Sequence, residues 1–272
     1  MPPLARNKIA LITGGSGTFG KAIANVFLSN NISVILTGRT LSKLEETKRT
    51  LKTTTTTTTT TGNNTFCHVI QSDISKEDSV IKLFQEIDQM DECVGSCGVD
   101  IVVNNAGINV TANSIEELTA KDMEDVLGVN VVGAFLCSRE AIKRMKQKDD
   151  EDDIVEREKG RGRIINIGSI SSTSPRPNST AYTTSKFAIE GLTKSLSLDC
   201  REHGIAVGII HPGNVISDLL SPEEVEVRGR TEGFLTADDV AKCVLTMASF
   251  PYNVNVLELT VIPTTQPFVG RG

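Results

Sequence analysis

No block of lysine and arginine occurs anywhere in the 272 residues, and 28 basic side chains stand against 34 acidic ones. A surface of that balance offers no electrostatic footprint for nucleic acid or an anionic membrane, so neither is an expected partner. Long apolar runs are missing too, and none approaches the length of a membrane span. The opening Met1-Pro2-Pro3-Leu4-Ala5-Arg6 is too short and polar for a signal sequence. Cys67, Cys93, Cys97, Cys137, Cys200 and Cys243 are scattered. Cys93 and Cys97 stand four apart, but no second pair or His cluster supports them as metal ligands. Buried or free thiols in a reducing compartment are expected instead. These absences lead to a soluble, cytoplasmic protein without a metal, large enough for one domain with its own core.

β-Hairpin signals are absent as well. Short β-branched runs recur instead, at Lys8–Thr13, Ser33–Thr37, Phe66–Ile70, Val99–Val103, Arg163–Ile167, Ile205–Ile210 and Val256–Val261. They are apolar nearly throughout, as strands buried on both faces should be. The segments between them are long enough for crossover helices. Three carry Ser/Thr-x-x-Asp start signals: Ser75 to Asp78, Thr119 to Asp122, and Thr236 to Asp239. The expectation is an α/β fold over residues 1–272, a Rossmann-like, doubly wound, seven-stranded parallel sheet with helices on both faces. Two stretches break the rhythm. Nine threonines, Thr53–Thr61, closed by Gly62-Asn63-Asn64, are expected to form a surface insertion loop. Residues 147–162, centred on Asp149-Asp150-Glu151-Asp152-Asp153, form a charged insertion expected to extend into solvent. Neither is assigned a function.

The chemistry-bearing residues fall at the ends of the predicted strands. After the first stands Thr13-Gly14-Gly15-Ser16-Gly17-Thr18-Phe19-Gly20, a turn that lets the backbone approach a pyrophosphate at a helix N-terminus. The second strand ends Thr37-Gly38-Arg39-Thr40. An NAD-binding fold usually places an acidic group here, whereas Arg accommodates a 2′-phosphate, so Arg39 predicts NADP(H) over NAD(H). Asp73, with Ile74 after the third strand, can accept from an adenine amino group or cap the next helix. Asn104-Asn105-Ala106-Gly107 follows the fourth, where doubly wound folds bind ligands. The fifth strand leads to Ser169, then to a stretch rich in Ser, Thr, Pro and Asn, then to Tyr182 and Lys186. At i and i+4 of a helix these two share one face. A cation held beside a phenol favours the phenolate and suits it to proton transfer at neutral pH. Ser169 can present its hydroxyl to the same reacting oxygen.

Taken together these residues resemble the short-chain dehydrogenases/reductases from Lys8 to about Val261. The resemblance joins the Thr-Gly turn, Asn104-Asn105-Ala106-Gly107, Asn130, Ser169, the Tyr182/Lys186 pair and His211-Pro212-Gly213. It implies a catalytic tetrad. Tyr182 would be the acid/base, Lys186 would tune it and hold the nicotinamide ribose, and Ser169 would orient the substrate carbonyl. Asn130 would anchor a proton-relay water, alongside a role as a helix-kink amide. Gly14, Ser16, Gly17, Thr18, Phe19, Gly20, Arg39, Asp73, Ile74, Asn105, Ala106 and Gly107 would meet the cofactor. So would Tyr182, Lys186, Pro212, Gly213, Val215 and Ser217. Thr18 departs from the family's turn, standing where the middle glycine is usual. The segment from Val256 to Gln266 resembles members acting on 3-hydroxy acids and similar small compounds.

The implied activity is NADP(H)-dependent hydride transfer between nicotinamide and a small carbonyl or secondary alcohol. Reduction of 3-oxoacyl thioesters is the runner-up. A non-catalytic NADP sensor would usually lose Tyr182 or Lys186, and a methyltransferase would need neither. The substrate pocket is expected to draw on Ser217–Thr236, a loop with Leu219, Leu220, Gly229 and Gly233 that serves as a lid. A homodimer or homotetramer is implied, paired through the helices at Thr119–Lys146 and Tyr182–Glu202, the latter with Ala188, Leu192 and Leu196 at helical spacing.

Overall fold

The computed structural model describes residues 8–55, 65–91, 93, 98–110, 114–147, 161–217, 222–251 and 253–269. Seven strands form one sheet: β1 (Ile9–Thr13), β2 (Ser33–Gly38), β3 (Cys67–Gln71), β4 (Ile101–Asn104), β5 (Gly162–Ile167), β6 (Ile205–Pro212) and β7 (Glu258–Val261). Their order is β3-β2-β1-β4-β5-β6-β7, and every pairing is parallel. The chain direction of strand addition reverses between β1 and β4, which opens a crevice at the strands' carboxyl ends.

The described helices are α1 (Thr18–Ser29), α2 (Leu41–Thr55), α3 (Glu77–Asp88), α4 (Ala120–Leu127), α5 (Ala134–Lys146), α6 (Thr180–Asp199), α7 (Pro222–Thr231) and α8 (Ala237–Ser249). On one face of the sheet, α1, α2 and α8 bury Phe27, Leu44 and Val240 against Ile12 and Leu36. On the other, α3 and α5 bury Phe84, Leu83 and Leu136 against Leu11, Ile35 and Val102. Removing each such side chain from water contributes about 1.5–3 kcal/mol, and the inner strands β1, β2, β4, β5 and β6 are buried on both faces, which accounts for their unbroken apolar runs.

Two of the three start signals operate as capping boxes. Thr119 Oγ1 accepts from the Asp122 amide at 3.1 Å while Asp122 Oδ2 accepts from the Thr119 amide at 3.0 Å, and Thr236 and Asp239 repeat the pattern. Ser75 does not cap. Its amide and hydroxyl both donate to Asp73 Oδ1, at 3.1 and 2.7 Å, and α3 begins at Glu77 without a side-chain cap. The threonine run also differs from a plain loop, because α2 continues through Thr55. Thr56 to Asn64, and 148–160 of the charged insertion, lie outside the described residues. The segment expected as a loop from Ser217 to Thr236 contains α7, whose Pro222 suits a helix's first turn because its fixed φ is already helical. Among the described residues no helix is long and apolar enough to cross a membrane.

Candidate active site

The crevice begins with the turn after β1. Gly14 adopts φ +64, and a Cβ there would lie 2.9 Å from Ala106 Cα, so the β1 and β4 turns touch through bare backbone. A Cβ on Gly20 would meet the Gly14 carbonyl at 2.3 Å. Gly20 therefore lets α1 close on the turn and does not line the crevice wall. The two turns are tied further. Thr13 Oγ1 accepts from the amides of Asn105 and Ala106, both at 3.0 Å, and Asn105 Nδ2 donates to the carbonyls of Thr13 at 2.8 Å and Gly14 at 3.2 Å. Asn104 is internal, its Nδ2 donating to Ser138 Oγ and Asn166 Oδ1.

From this floor the crevice opens into a single cavity of about 660 Å³. At one end, Gly14, Ser16, Gly17, Thr18 and Phe19 line it, with Arg39, Asp73, Ile74, Asn105, Ala106 and Gly107. Asp73 accepts from the amide and hydroxyl of Ser75 within its own turn and does not cap α3, and it also lines the cavity. Arg39 is exposed at the rim beside Lys43. Neither cation has an ion-pair partner among the described residues. Lys43 is not marked by the sequence, because a lysine in an amphipathic helix carries no signal of its own.

At the other end stand Ser169, Tyr182, Lys186, Pro212, Gly213, Val215 and Ser217. Helix α6 places Tyr182 and Lys186 on one face, with the Lys186 ammonium 5.3 Å from the phenol ring centroid. Lys186 is buried, and its Nζ donates to the Ile167 carbonyl at the end of β5 at 2.8 Å. Ser169 Oγ accepts from the Ser171 amide at 3.1 Å, which fixes its position and leaves its proton for another oxygen. Asn130 stays behind the cavity wall. It sits in a π-helical stretch, Gly128–Gly133, between α4 and α5. Its amide does not bond its own helix: Oδ1 accepts from the Ile108 amide at 2.8 Å, and Nδ2 donates to the Ile108 carbonyl and Ser185 Oγ, each at 3.0 Å. It thus ties the β4 turn to α6, one residue from Lys186.

The wall after β6 is braced from distant chain. The Gly213 amide donates to Val261, the Asn214 amide donates to Gln266 Oε1 at 2.9 Å, and Val215 pairs with Leu235. Gln266, Pro267 and Phe268 also line the cavity, as do Arg176 and Glu232. Glu232 falls within the loop expected to serve the pocket, whereas Arg176, Gln266, Pro267 and Phe268 lie in irregular chain and belong to no site motif of their own. Leu219 and Leu220 lie outside the described residues.

His211 stands beneath the serine. Its Nδ1–H donates to the Ser169 carbonyl at 2.9 Å, and a Cβ on Gly168 would strike that ring at 2.6 Å. Burial pushes the imidazole below its ordinary value, against the opposing pull of the Ser169 carbonyl, Glu258 and Glu190 and with a small contribution from Lys186. The folded state therefore takes up this proton at lower pH than the unfolded chain. Stability from a neutral His211 is full above about pH 6.5 and falls as pH drops toward the folded-state value, by at most ~1.4 kcal/mol per pH unit. His211→Asn, which keeps an N–H for Ser169, is expected to unfold earlier at pH 8 but to lose less stability than wild type between pH 7 and pH 5. Equal slopes in urea titrations would remove His211 from the acid response.

The comparisons agree with this architecture. Residues 8–226 match the family model described as short chain dehydrogenase. Uncharacterized oxidoreductase YgfF of Escherichia coli (strain K12) is 35% identical over 212 residues, covering 78% of this chain and 77% of that protein. An NADP-dependent (R)-specific alcohol dehydrogenase of Lentilactobacillus kefiri is 33% identical over 227 residues, 81% of this chain and 79% of that protein. Among solved structures, the closed form of serine dehydrogenase complexed with NADP+ superposes with a TM-score of 0.80 at 24% identity, covering 97% of this chain and 98% of that one, a likeness of fold. With its all-parallel seven-stranded sheet and its match over most of its length, the chain belongs to the short chain dehydrogenase family.

Proposed function

We propose that this protein is an NADP(H)-dependent oxidoreductase that transfers hydride between nicotinamide and a carbonyl or secondary alcohol, acting on a small ketone or a 3-oxo/3-hydroxy compound. The observation that carries the proposal is the meeting of Ser169, Tyr182 and Lys186 in one cavity whose far end presents Arg39 and Lys43. The residues present fit the cofactor. Ser16, Gly17 and Thr18 line the cavity at the N-terminus of α1, where they would hold a phosphate bridge, and Arg39 and Lys43, two cations without carboxylate partners among the described residues, would meet a 2′-phosphate. When bound, the nicotinamide supplies the hydride. Tyr182 donates its phenolic proton to the carbonyl oxygen in reduction and takes it back in oxidation. Ser169 donates a hydrogen bond to the same oxygen. Lys186, held by the Ile167 carbonyl with its Nζ 5.3 Å from the phenol ring centroid, is placed to meet the nicotinamide ribose beside the proton donor. Asn130 keeps the β4 turn and α6 in register and positions Lys186.

We further propose self-association through α5 and α6. Large apolar side chains stand exposed on these elements and the π-helical stretch before α5: Val132 at 44%, Phe135 at 41%, Phe187 at 46% and Leu198 at 61%. They differ from the residues singled out earlier, since Leu192 and Leu196 pack partly against the core.

Loss of NADPH absorbance with a panel of ketones, diketones, 3-oxo esters, 3-oxoacyl thioesters and aldehydes tests the activity. At least one class is expected to consume NADPH at a rate proportional to enzyme. No consumption with any of them would overturn the reading, and a preference for thioesters would move the substrate to that class.

A further inference from the structure

Between Ser169 and α6 the chain bends back so that Arg176 covers the ring of Tyr182. Its guanidinium carbon lies 5.7 Å from the ring centroid, within stacking range. The loop is anchored: Ser179, itself buried, donates from Oγ to the Arg176 carbonyl at 2.8 Å, and Pro175 and Pro177 flank the arginine. The side chain is half-buried and lines the same cavity as Ser169 and Tyr182. Its guanidinium has no carboxylate partner among the described residues.

Four cations line this cavity: Arg39, Lys43, Arg176 and Lys186. Arg39 and Lys43 stand at the carboxyl end of β2, away from the reacting group. Lys186 is held under the ring by the Ile167 carbonyl. Arg176 is the remaining one, next to the phenol that meets the substrate. Two carboxylates also line the cavity, Asp73 at the β3 end and Glu232, whose Oε2 accepts from Asn214 Nδ2 at 2.7 Å. An anionic substrate group is repelled from Glu232 and drawn to the guanidinium, whose planar fork matches a carboxylate.

We propose that Arg176 binds the carboxylate of the substrate, and that the physiological substrates are small oxo acids or the corresponding hydroxy acids. Because the guanidinium stacks on the ring of the proton donor, the carboxylate and the reacting carbonyl must be close neighbours, as in 2-oxo and 3-oxo acids. This rests on the site reducing carbonyls as proposed above.

The test compares acids with their neutral esters, acetoacetate against methyl acetoacetate and pyruvate against methyl pyruvate, in wild type, Arg176→Gln and Arg176→Lys. For at least one pair, wild-type kcat/KM is expected to favour the acid by roughly 10- to 100-fold, the range of a charge-assisted pair. Arg176→Gln is expected to bring that ratio to about one, and Arg176→Lys, a point charge without the fork, to an intermediate value. The ratio is the readout because loss of stacking on Tyr182 slows acid and ester together. Wild type preferring both esters, or a ratio unchanged in Arg176→Gln, overturns the proposal while leaving carbonyl reduction standing. If neither acid nor ester is reduced, binding of malonate to the protein–NADPH complex, followed by NADPH fluorescence, decides. Affinity is expected to fall at least tenfold in Arg176→Gln, and no wild-type binding refutes the assignment.

Discussion

Tyr182→Phe is expected to lower kcat by about 10²- to 10⁴-fold, the span a positioned proton donor contributes, while NADPH still binds with little change. The ring is retained, so its stacking with Arg176 and its proximity to the Lys186 ammonium survive, and only the phenolic oxygen is lost. Ser169 keeps its hydroxyl, yet it can only share a proton with the substrate oxygen, since no base stands behind it among the described residues. Its Oγ accepts from a backbone amide. The measurement is a pair: single-turnover rate and NADPH affinity by fluorescence. Turnover within a few-fold of wild type would refute the assignment of Tyr182 as acid/base. Loss of both turnover and binding would mean that the ring's place in the cavity wall matters more than its proton.

The second large effect concerns cofactor choice. In Arg39→Asp the ratio of kcat/KM for NADPH over NADH is expected to fall by roughly 10²-fold or more. Removing a guanidinium–phosphate pair costs about 1.5–3 kcal/mol, and the new carboxylate adds repulsion against the 2′-phosphate. The same carboxylate accepts from a ribose hydroxyl and so improves NADH. Gln71 Nε2 donates to the Arg39 carbonyl at 2.8 Å, so the backbone at this corner is held whatever side chain it carries. Lys43 remains, and residual NADPH activity is expected for that reason. A wild-type enzyme that already prefers NADH would remove the 2′-phosphate from Arg39.

The sheet was legible because its five inner strands, β1, β2, β4, β5 and β6, are buried on both faces, which leaves a run such as Ile101-Val102-Val103 no polar position to blur. Thr119 and Thr236 were legible because a capping box needs only local chain. At Ser75 the same pattern does not cap, because Asp73, two residues earlier, takes its hydroxyl. Helical spacing placed Tyr182 and Lys186 on one face, but it was the company of Ser169, the Thr-Gly turn and Asn104-Asn105-Ala106-Gly107 that marked them as site residues. Arg176 was not marked, because loop side chains have no period, and its value comes from a ring six residues away that the bend returns to it. Helix α7 was hidden by its charge and by Gly229, which weaken any apolar stripe. The exposed Phe135 and Phe187 were equally silent, since a sequence does not say which apolar side chains the core leaves over.

The contacts between the β1 and β4 turns carry a consequence for how the molecule comes into being. Thr13 and Asn105 are separated by 92 positions, and their hydrogen bonds exist only once that length of polypeptide has closed on itself. Closures of that span are slow and are made at an entropic cost before any contact returns it. The floor that joins the two turns therefore exists only in the fully closed chain. A dinucleotide that binds only the finished floor adds about 2.7 kcal/mol of stability at a hundred times its dissociation constant. Cellular cofactor level would then govern how much of this polypeptide persists in its folded form as well as how fast it works.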